Sequence, residues 1–149
     1  ICMRCVPRVF SERFAACLRQ AALGREKFCT SALSERTRLV EAIKKIPNVF
    51  FNESREQAPN ILNLSLLGRD TDYLVALLDE AGFAVSTRSA CETDSETGSR
   101  AVLALTGDSE RARSTLRISW NANTRSSDLD RFAHTLVEAV VFVDNNSQR

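Results

Sequence analysis

Histidine, proline and glycine are scarce in this 149-residue chain, with one, three and five copies. The scattered glycines offer no glycine-rich phosphate loop. A single histidine gives poor support to a Cys–His nucleophile pair or to a histidine-based metal site. His134 falls off the apolar stripe of its predicted helix, so we expect an exposed side chain without a catalytic role. No apolar run approaches the length that a membrane span requires.

Charge of one sign is not concentrated anywhere in the chain. The formal net charge is +1, and the charged residues, 26% of the total, are intermixed. The sequence therefore has no basic patch for nucleic acid. Its start, "ICMRCVPRVF", lacks the layout of a secretory signal, and the absence of an initiator Met indicates a piece of a longer protein. We expect a cytoplasmic domain without nucleic-acid or membrane partners.

The five cysteines form no disulfide framework, since their number is odd and their spacing irregular. Cys2 and Cys5 make a lone C-x-x-C, half of a zinc site without a second pair, so no metal is expected. Cys17 and Cys29 lie in a predicted helix, where small, partly buried thiols are typical.

The pattern of the chain predicts an α+β fold, a small mixed β-sheet covered by helices on one side, with a long N-terminal connector helix. Residues 1–10 are predicted to be irregular, 11–46 to form the connector helix, 47–143 to form the small domain with a cysteine loop at 86–99, and 144–149 to fray.

Periodicity predicts which side chains of the small domain are buried. In "NILNLSLL" the leucines 62, 64 and 66 share one face. Asp70 or Thr71 is expected to cap a helix, residues 83–86 to return as a strand, and Ser127 to cap the last helix. The apolar stripe of that last helix comprises Leu129, Phe132, Ala133, Leu136, Val140 and Val143.

The strand "STLRISW" directs one arginine away from the core. Its apolar residues alternate inward, which leaves Arg117 outward between the hydroxyls of Thr115 and Ser119. A guanidinium on a rigid strand beside small polar groups suits bidentate binding of a carboxylate. The pattern alone is equally typical of an arginine on a solvated sheet face, and both interpretations stay open here.

Cys91 differs from the other cysteines because its surroundings are small and polar. It follows "AVSTRSA" and precedes "ETDSETGS", a stretch without large apolar side chains. Such a loop can be mobile and exposed. Arg88 favours the thiolate, while Glu92 and Asp94 oppose it. The composition favours a reactive thiol, and an inert loop cysteine is the alternative.

Taken together, these motifs resemble the C-terminal small domain of cysteine desulfurases, a class V group of pyridoxal-phosphate enzymes. The likeness extends over roughly residues 14–143. It depends on S-x-x-S-A-C ending at Cys91, on S-x-L-R-I-S around Arg117, and on PN-x-x-N-x-S from Pro59 to Ser65. The order and separation of the three motifs also match, and the loop resembles the long, mobile type of the family.

The resemblance implies a role for each candidate residue. Cys91 is the catalytic thiol that takes sulfur from L-cysteine as a persulfide, with release of L-alanine, and Arg117 binds the substrate carboxylate. It implies a pyridoxal phosphate cofactor, a homodimer in the full-length form, and an iron–sulfur scaffold or other sulfur acceptor protein as partner. A relative acting on selenocysteine is an alternative, as is a non-enzymatic module that carries or senses sulfur through Cys91.

The sequence departs from the family pattern in three places. The arginine–glycine–threonine segment that precedes the first long helix in the family is not recognisable in "ICMRCVPRVF". Lys27, Lys44 and Lys45 lack the S-x-H-K context of the family's cofactor lysine, so no cofactor-binding residue is expected in this chain, and we expect the isolated chain to be inactive. Gly98 stands where a proline is usual.

Overall fold

A computed structural model describes residues 8–87 and 98–146 of the chain. The helices and strands, in chain order, are α1 (Arg8–Ile43), β1 (Val49–Phe51), β2 (Ile61–Leu66), α2 (Thr71–Glu80), α3 (Arg100–Thr106), α4 (Ser109–Arg113), β3 (Thr115–Ser119) and α5 (Ser126–Asn146).

The first helix is a single element of 36 residues. It begins three residues before the predicted start at 11 and ends three residues before the predicted end at 46. Its C-terminal part is amphipathic, and Leu39 and Ile43 are buried in the core together with Ile46, which follows the helix. Toward its N-terminus the large apolar side chains are exposed, for example Phe14 and Leu23.

The two described cysteines of α1 differ in exposure. Cys29 is partly buried, as predicted, whereas Cys17 is exposed, and the prediction for that residue was wrong. The reason is that helical periodicity identifies a face but not whether another element packs against it.

In the described part of the chain the sheet has three strands in the order β1-β2-β3, and both pairs are antiparallel. The expectation of a mixed sheet was wrong in this respect. The chain leaves β2 and returns into β3 at the same end of the sheet, where the Leu66 amide donates to the Ser114 carbonyl at 3.0 Å. A return at the same end makes the neighbouring strand antiparallel. Of the strand predicted at 83–86, the described residues show one bridge, between Ser86 and Arg117.

One face of the sheet carries the apolar core. Leu62, Leu64 and Leu66 of β2 are fully buried on this face, and Leu116 and Ile118 of β3 lie opposite them in the antiparallel register. The α2 leucines 74 and 78 and the predicted stripe of α5 cover them, so both periodicity predictions are confirmed. The α5 helix begins at Ser126, two residues earlier than a Ser127 cap would allow, and it continues through Asn146.

The cap predicted for α2 is also confirmed. The Asp70 carboxylate accepts from the amides of Asp72 and Tyr73 at 3.0 and 3.1 Å. This satisfies two of the amides that a helix start leaves without partners. The short helices α3 and α4 pack together, and α4 contacts β2.

Candidate functional site

Arg117 lies in the middle of β3 with an exposed side chain, between the buried Leu116 and Ile118. The pleat therefore directs the guanidinium away from the apolar core, as the alternation predicts. Within residues 8–87 and 98–146 its side chain has no hydrogen-bond or ion-pair partner, so none of these residues competes with an anion for its N–H donors.

The hydroxyls predicted to flank Arg117 do not both lie open. Ser119 is exposed, but Thr115 is only 1% exposed, and its hydroxyl donates to the Arg111 carbonyl at 2.8 Å. The physical reason is that α4 packs over this end of the sheet's second face. Thr115 lies on the face that carries Arg117, as the alternation predicts, but the expectation that its hydroxyl would be open beside Arg117 was wrong.

A polar network that the sequence reasoning missed lies on the same face as Arg117. The Arg111 guanidinium donates to Asn52 Oδ1 at 2.6 and 3.1 Å. Asn52 Nδ2 in turn donates to Asn63 Oδ1 at 2.7 Å and to the Ser65 hydroxyl at 2.8 Å. Ser65 completes the network by donating to the Arg111 carbonyl at 2.7 Å.

The sequence offers one signal for this network. Asn63 and Ser65 occupy the non-leucine face of β2, which makes them visible as a polar pair in the alternation. Asn52 and Arg111 meet across 59 positions of sequence. Local periodicity carries no information about such a contact.

Cys91 lies outside the described residues, but both ends of its loop are described. Before it, the backbone of Ser86 pairs with Arg117, with N–O distances of 2.7 and 3.2 Å. Cys91 is five positions after Ser86 in the sequence, so their Cα atoms are at most about 18 Å apart. After it, the Ser99 amide donates to the Ala112 carbonyl at 2.8 Å, and the Ser99 hydroxyl caps α3.

Gly98 brings the end of the cysteine loop against α4. Its φ is +74°, and a Cβ atom at this position would lie 2.4 Å from the Ala112 carbonyl oxygen. Proline fixes φ near −65°, so the proline usual in the family cannot adopt this backbone. At the position where the family usually has proline, this chain therefore has a backbone conformation that requires glycine.

No protein-family model matches the chain. Among curated proteins, it is 31% identical over 109 residues to the cysteine desulfurase IscS of Clostridium botulinum (strain Hall), which covers 70% of the chain and 28% of that protein. It is 38% identical over 96 residues to the IscS of Salmonella arizonae, covering 64% of the chain and 23% of that protein. The chain is homologous to the C-terminal part of cysteine desulfurases. It spans about a quarter of the length of these curated relatives.

Solved structures support the same assignment of the fold. A NifS-like protein matches with a TM-score of 0.68 and 22% identity, over 82% of this chain and 30% of that one. The NifS-like protein of Rickettsia africae matches with a TM-score of 0.64 and 20% identity, over 78% and 30%. The aminotransferase TlmJ of Streptoalloteichus hindustanus matches at 0.60 with 13% identity, over 80% and 34%. The predicted α+β fold is confirmed.

The described residues provide neither a catalytic histidine nor a metal site. The His134 side chain is 74% exposed and lies 3.2 Å from Glu138, which confirms the predicted exposed helix histidine. The described residues contain no group of His, Cys, Asp and Glu side chains that could hold a metal ion. Nor do their helices include one with the length and apolar character to cross a membrane.

Proposed function

We propose that this chain is the part of a cysteine desulfurase that binds the substrate carboxylate and receives its sulfur. Arg117 binds the α-carboxylate of L-cysteine, and Cys91 accepts the sulfur as a persulfide while L-alanine is released. The observation that carries the proposal is the exposed Arg117 side chain without a described partner, on a strand whose backbone pairs with the residue that begins the Cys91 loop.

The position of Arg117 suits a binding role. Its strand is held by β2 on one side and by Ser86 on the other, and its neighbours in the strand are buried. The Cα atom is therefore fixed, while the guanidinium can present two parallel N–H donors to a carboxylate. Lysine offers a point charge instead of this planar fork, so the exchange would not be conservative.

In the proposed reaction Cys91 is the group that accepts the sulfur atom of the substrate. The Cys91 thiolate attacks the sulfur of L-cysteine and forms an S–S bond. The carbon–sulfur bond breaks, its electron pair stays on the substrate carbon, and a proton adds there to give L-alanine. A thiolate is required because the thiol is a poor nucleophile. The loop attached to Ser86 would bring Cys91 to the substrate that Arg117 holds.

The described residues do not fit pyridoxal phosphate. A lysine that holds this cofactor must lie in an enclosed pocket close to the bound substrate. Lys27, Lys44 and Lys45 are all exposed on or directly after α1, and Lys44 pairs with Glu41. The cofactor lysine and pocket would belong to the remaining length of a full desulfurase, and the roles described above are only those of this chain's own residues.

Further elements of the proposal concern the complete protein. By homology, the full form would be a cytoplasmic homodimer that passes sulfur to an iron–sulfur scaffold or a thiolation pathway. A preference for selenocysteine would leave the roles of both residues unchanged. A non-enzymatic sulfur carrier would require Cys91 but not Arg117. Substitution of each residue therefore distinguishes the enzyme hypothesis from the carrier hypothesis.

The test is a chimera in which this chain replaces the matching region of the Salmonella arizonae relative. We expect L-alanine to form from L-cysteine, with a persulfide on Cys91 detected by mass spectrometry. Cys91→Ser should abolish both, and Cys29→Ser should change neither. Arg117→Ala should raise the KM for L-cysteine roughly tenfold to a hundredfold, the effect of losing charge-assisted hydrogen bonds. Arg113→Ala, an exposed arginine of α4, is the matched control.

Two results would contradict the proposal. Alanine formation that survives Cys91→Ser would remove the role of the thiol. A KM that is the same in Arg117→Ala and Arg113→Ala would remove the role of the arginine. The isolated chain with added pyridoxal phosphate is expected to form no alanine, and detectable alanine would refute the need for a separate cofactor domain.

A further inference from the structure

Asn63 is the residue of β2 that lies directly opposite Arg117. In an antiparallel sheet, the N–H and C=O of one residue point to the same neighbouring strand. The N–H and C=O groups of Arg117 both bond to the backbone of Ser86, on the side of β3 away from β2. The Asn63 carbonyl accepts from the Asn52 amide, on the side of β2 away from β3. Asn63 and Arg117 are therefore a non-hydrogen-bonded pair, the type with the closer side chains, with Cβ atoms about 4.5–5.5 Å apart.

The orientation of the Asn63 amide follows from the chemistry of its partners. Arg111 has donors only, so Asn52 must direct Oδ1 toward it and Nδ2 away. Asn52 Nδ2 then donates to Asn63, which must present Oδ1 to receive that bond. The Asn63 Nδ2 group is left with two N–H donors for which residues 8–87 and 98–146 supply no partner.

We infer that Asn63 is a second carboxylate-binding residue beside Arg117, and that Asn52 and Arg111 position it. The inference rests on the proposed function and extends it by a specificity-determining residue. The pair places guanidinium and amide donors on one face of the sheet. Such an arrangement suits an acceptor-only group such as a carboxylate, and it disfavours a carboxamide, whose own NH₂ would meet donors.

The test is an NMR titration of the ¹⁵N-labelled chain with L-alanine, which carries the substrate carboxylate but no thiol. We expect the Asn63 Nδ2–H₂ and Arg117 Nε–H signals to shift with L-alanine and not with L-alaninamide. Asn63→Ala should weaken L-alanine binding about tenfold, since one hydrogen bond to a charged group is lost. Asn146→Ala, on the exposed end of α5, is the control and should leave the binding unchanged.

Asn52→Asp tests the positioning role separately. The aspartate still accepts from Arg111 but cannot donate to Asn63, so the Asn63 amide must turn and present Oδ1 toward Arg117. We expect the Asn63 Nδ2–H₂ signals to move in the free variant and to lose their response to L-alanine. An Asn63 amide that responds as in the unmodified chain would refute the positioning by Asn52.

The outcomes distinguish this inference from the proposed function. If Arg117→Ala abolishes binding and Asn63→Ala does not weaken it, the role of Asn63 is wrong and that of Arg117 stands. If Arg117→Ala leaves the binding intact, the proposed role of the arginine fails. A titration of the unmodified chain in which neither signal moves overturns both.

Discussion

Replacing Gly98 by alanine tests whether the end of the cysteine loop is held against α4. The new Cβ atom would lie 2.4 Å from the Ala112 carbonyl oxygen and 2.7 Å from the Arg113 Cα atom. Both are backbone atoms of a helix, so neither can rotate away as a side chain could. The residue at position 98 must therefore move away from α4, and Ser99 moves with it.

The expected loss of stability can be worked out with a matched control. Gly107 has a similar φ of +69°, with no atom within 4 Å of an added Cβ, so Gly107→Ala carries only the left-handed backbone strain. That strain costs about 1 kcal/mol. Gly98→Ala carries the same strain and also loses the Ser99–Ala112 hydrogen bond and the Ser99 cap of α3, each worth about 1 kcal/mol. The totals are about 3 kcal/mol for Gly98→Ala and about 1 kcal/mol for Gly107→Ala.

Urea denaturation followed by circular dichroism measures both losses. We expect the free energy of unfolding to fall by about 2 kcal/mol more for Gly98→Ala than for Gly107→Ala. Equal losses would show that position 98 is not held against α4 and would refute the reasoning. Gly98→Pro should destabilise at least as much as Gly98→Ala, because proline cannot adopt the positive φ.

Two further predictions concern the core and pH. Leu64→Ala should lower the free energy of unfolding by about 2–5 kcal/mol in urea denaturation, because Leu64 is fully buried. Leu105 is 48% exposed, so Leu105→Ala is the control. A loss for Leu64→Ala no larger than that for Leu105→Ala would contradict the prediction. Hydrogen bonds from Arg69 lower the pKa of Asp144, so this pair stabilises the fold above the unfolded pKa of about 3.9 and loses its effect as pH falls through the lower folded pKa. Asp144 is 40% exposed, so Asp144→Asn should cost about 1 kcal/mol or less at pH 7. The difference in the free energy of unfolding between this variant and the unmodified chain should shrink below about pH 4. A difference that stays constant with pH would refute the role of the ion pair.

The elements with a strong period were predictable from the sequence. The leucines of β2 and the stripe of α5 are buried as the alternation and the helical period indicate, and Asp70 caps α2. Each of these features depends on residues close in sequence. The outward direction of Arg117 belongs to the same class, because a strand alternates its side chains whatever packs against it.

Burial on the second face of the sheet could not be predicted in this way. Ser65 and Thr115 have the polar side chains of a solvated face, yet α4 covers them and both are nearly inaccessible. Their burial is tolerated because both hydroxyls donate to the Arg111 carbonyl. The exposed Cys17 is the converse case, a residue of α1 that no element of the described part of the chain covers.

The two parts of the candidate site meet in α4. The backbone carbonyl of Ala112 holds Ser99, where the cysteine loop ends, and the side chain of Arg111 holds Asn52, which orients Asn63 beside Arg117. One helix of five residues thus supports both the loop that carries the proposed sulfur acceptor and the face that would bind the carboxylate. Because a helix this short is not stable alone, its position depends on these contacts. Loss of either contact should therefore loosen the other, and the Gly98→Ala variant should also disturb the Asn63 amide, although residue 98 is remote in sequence from β2.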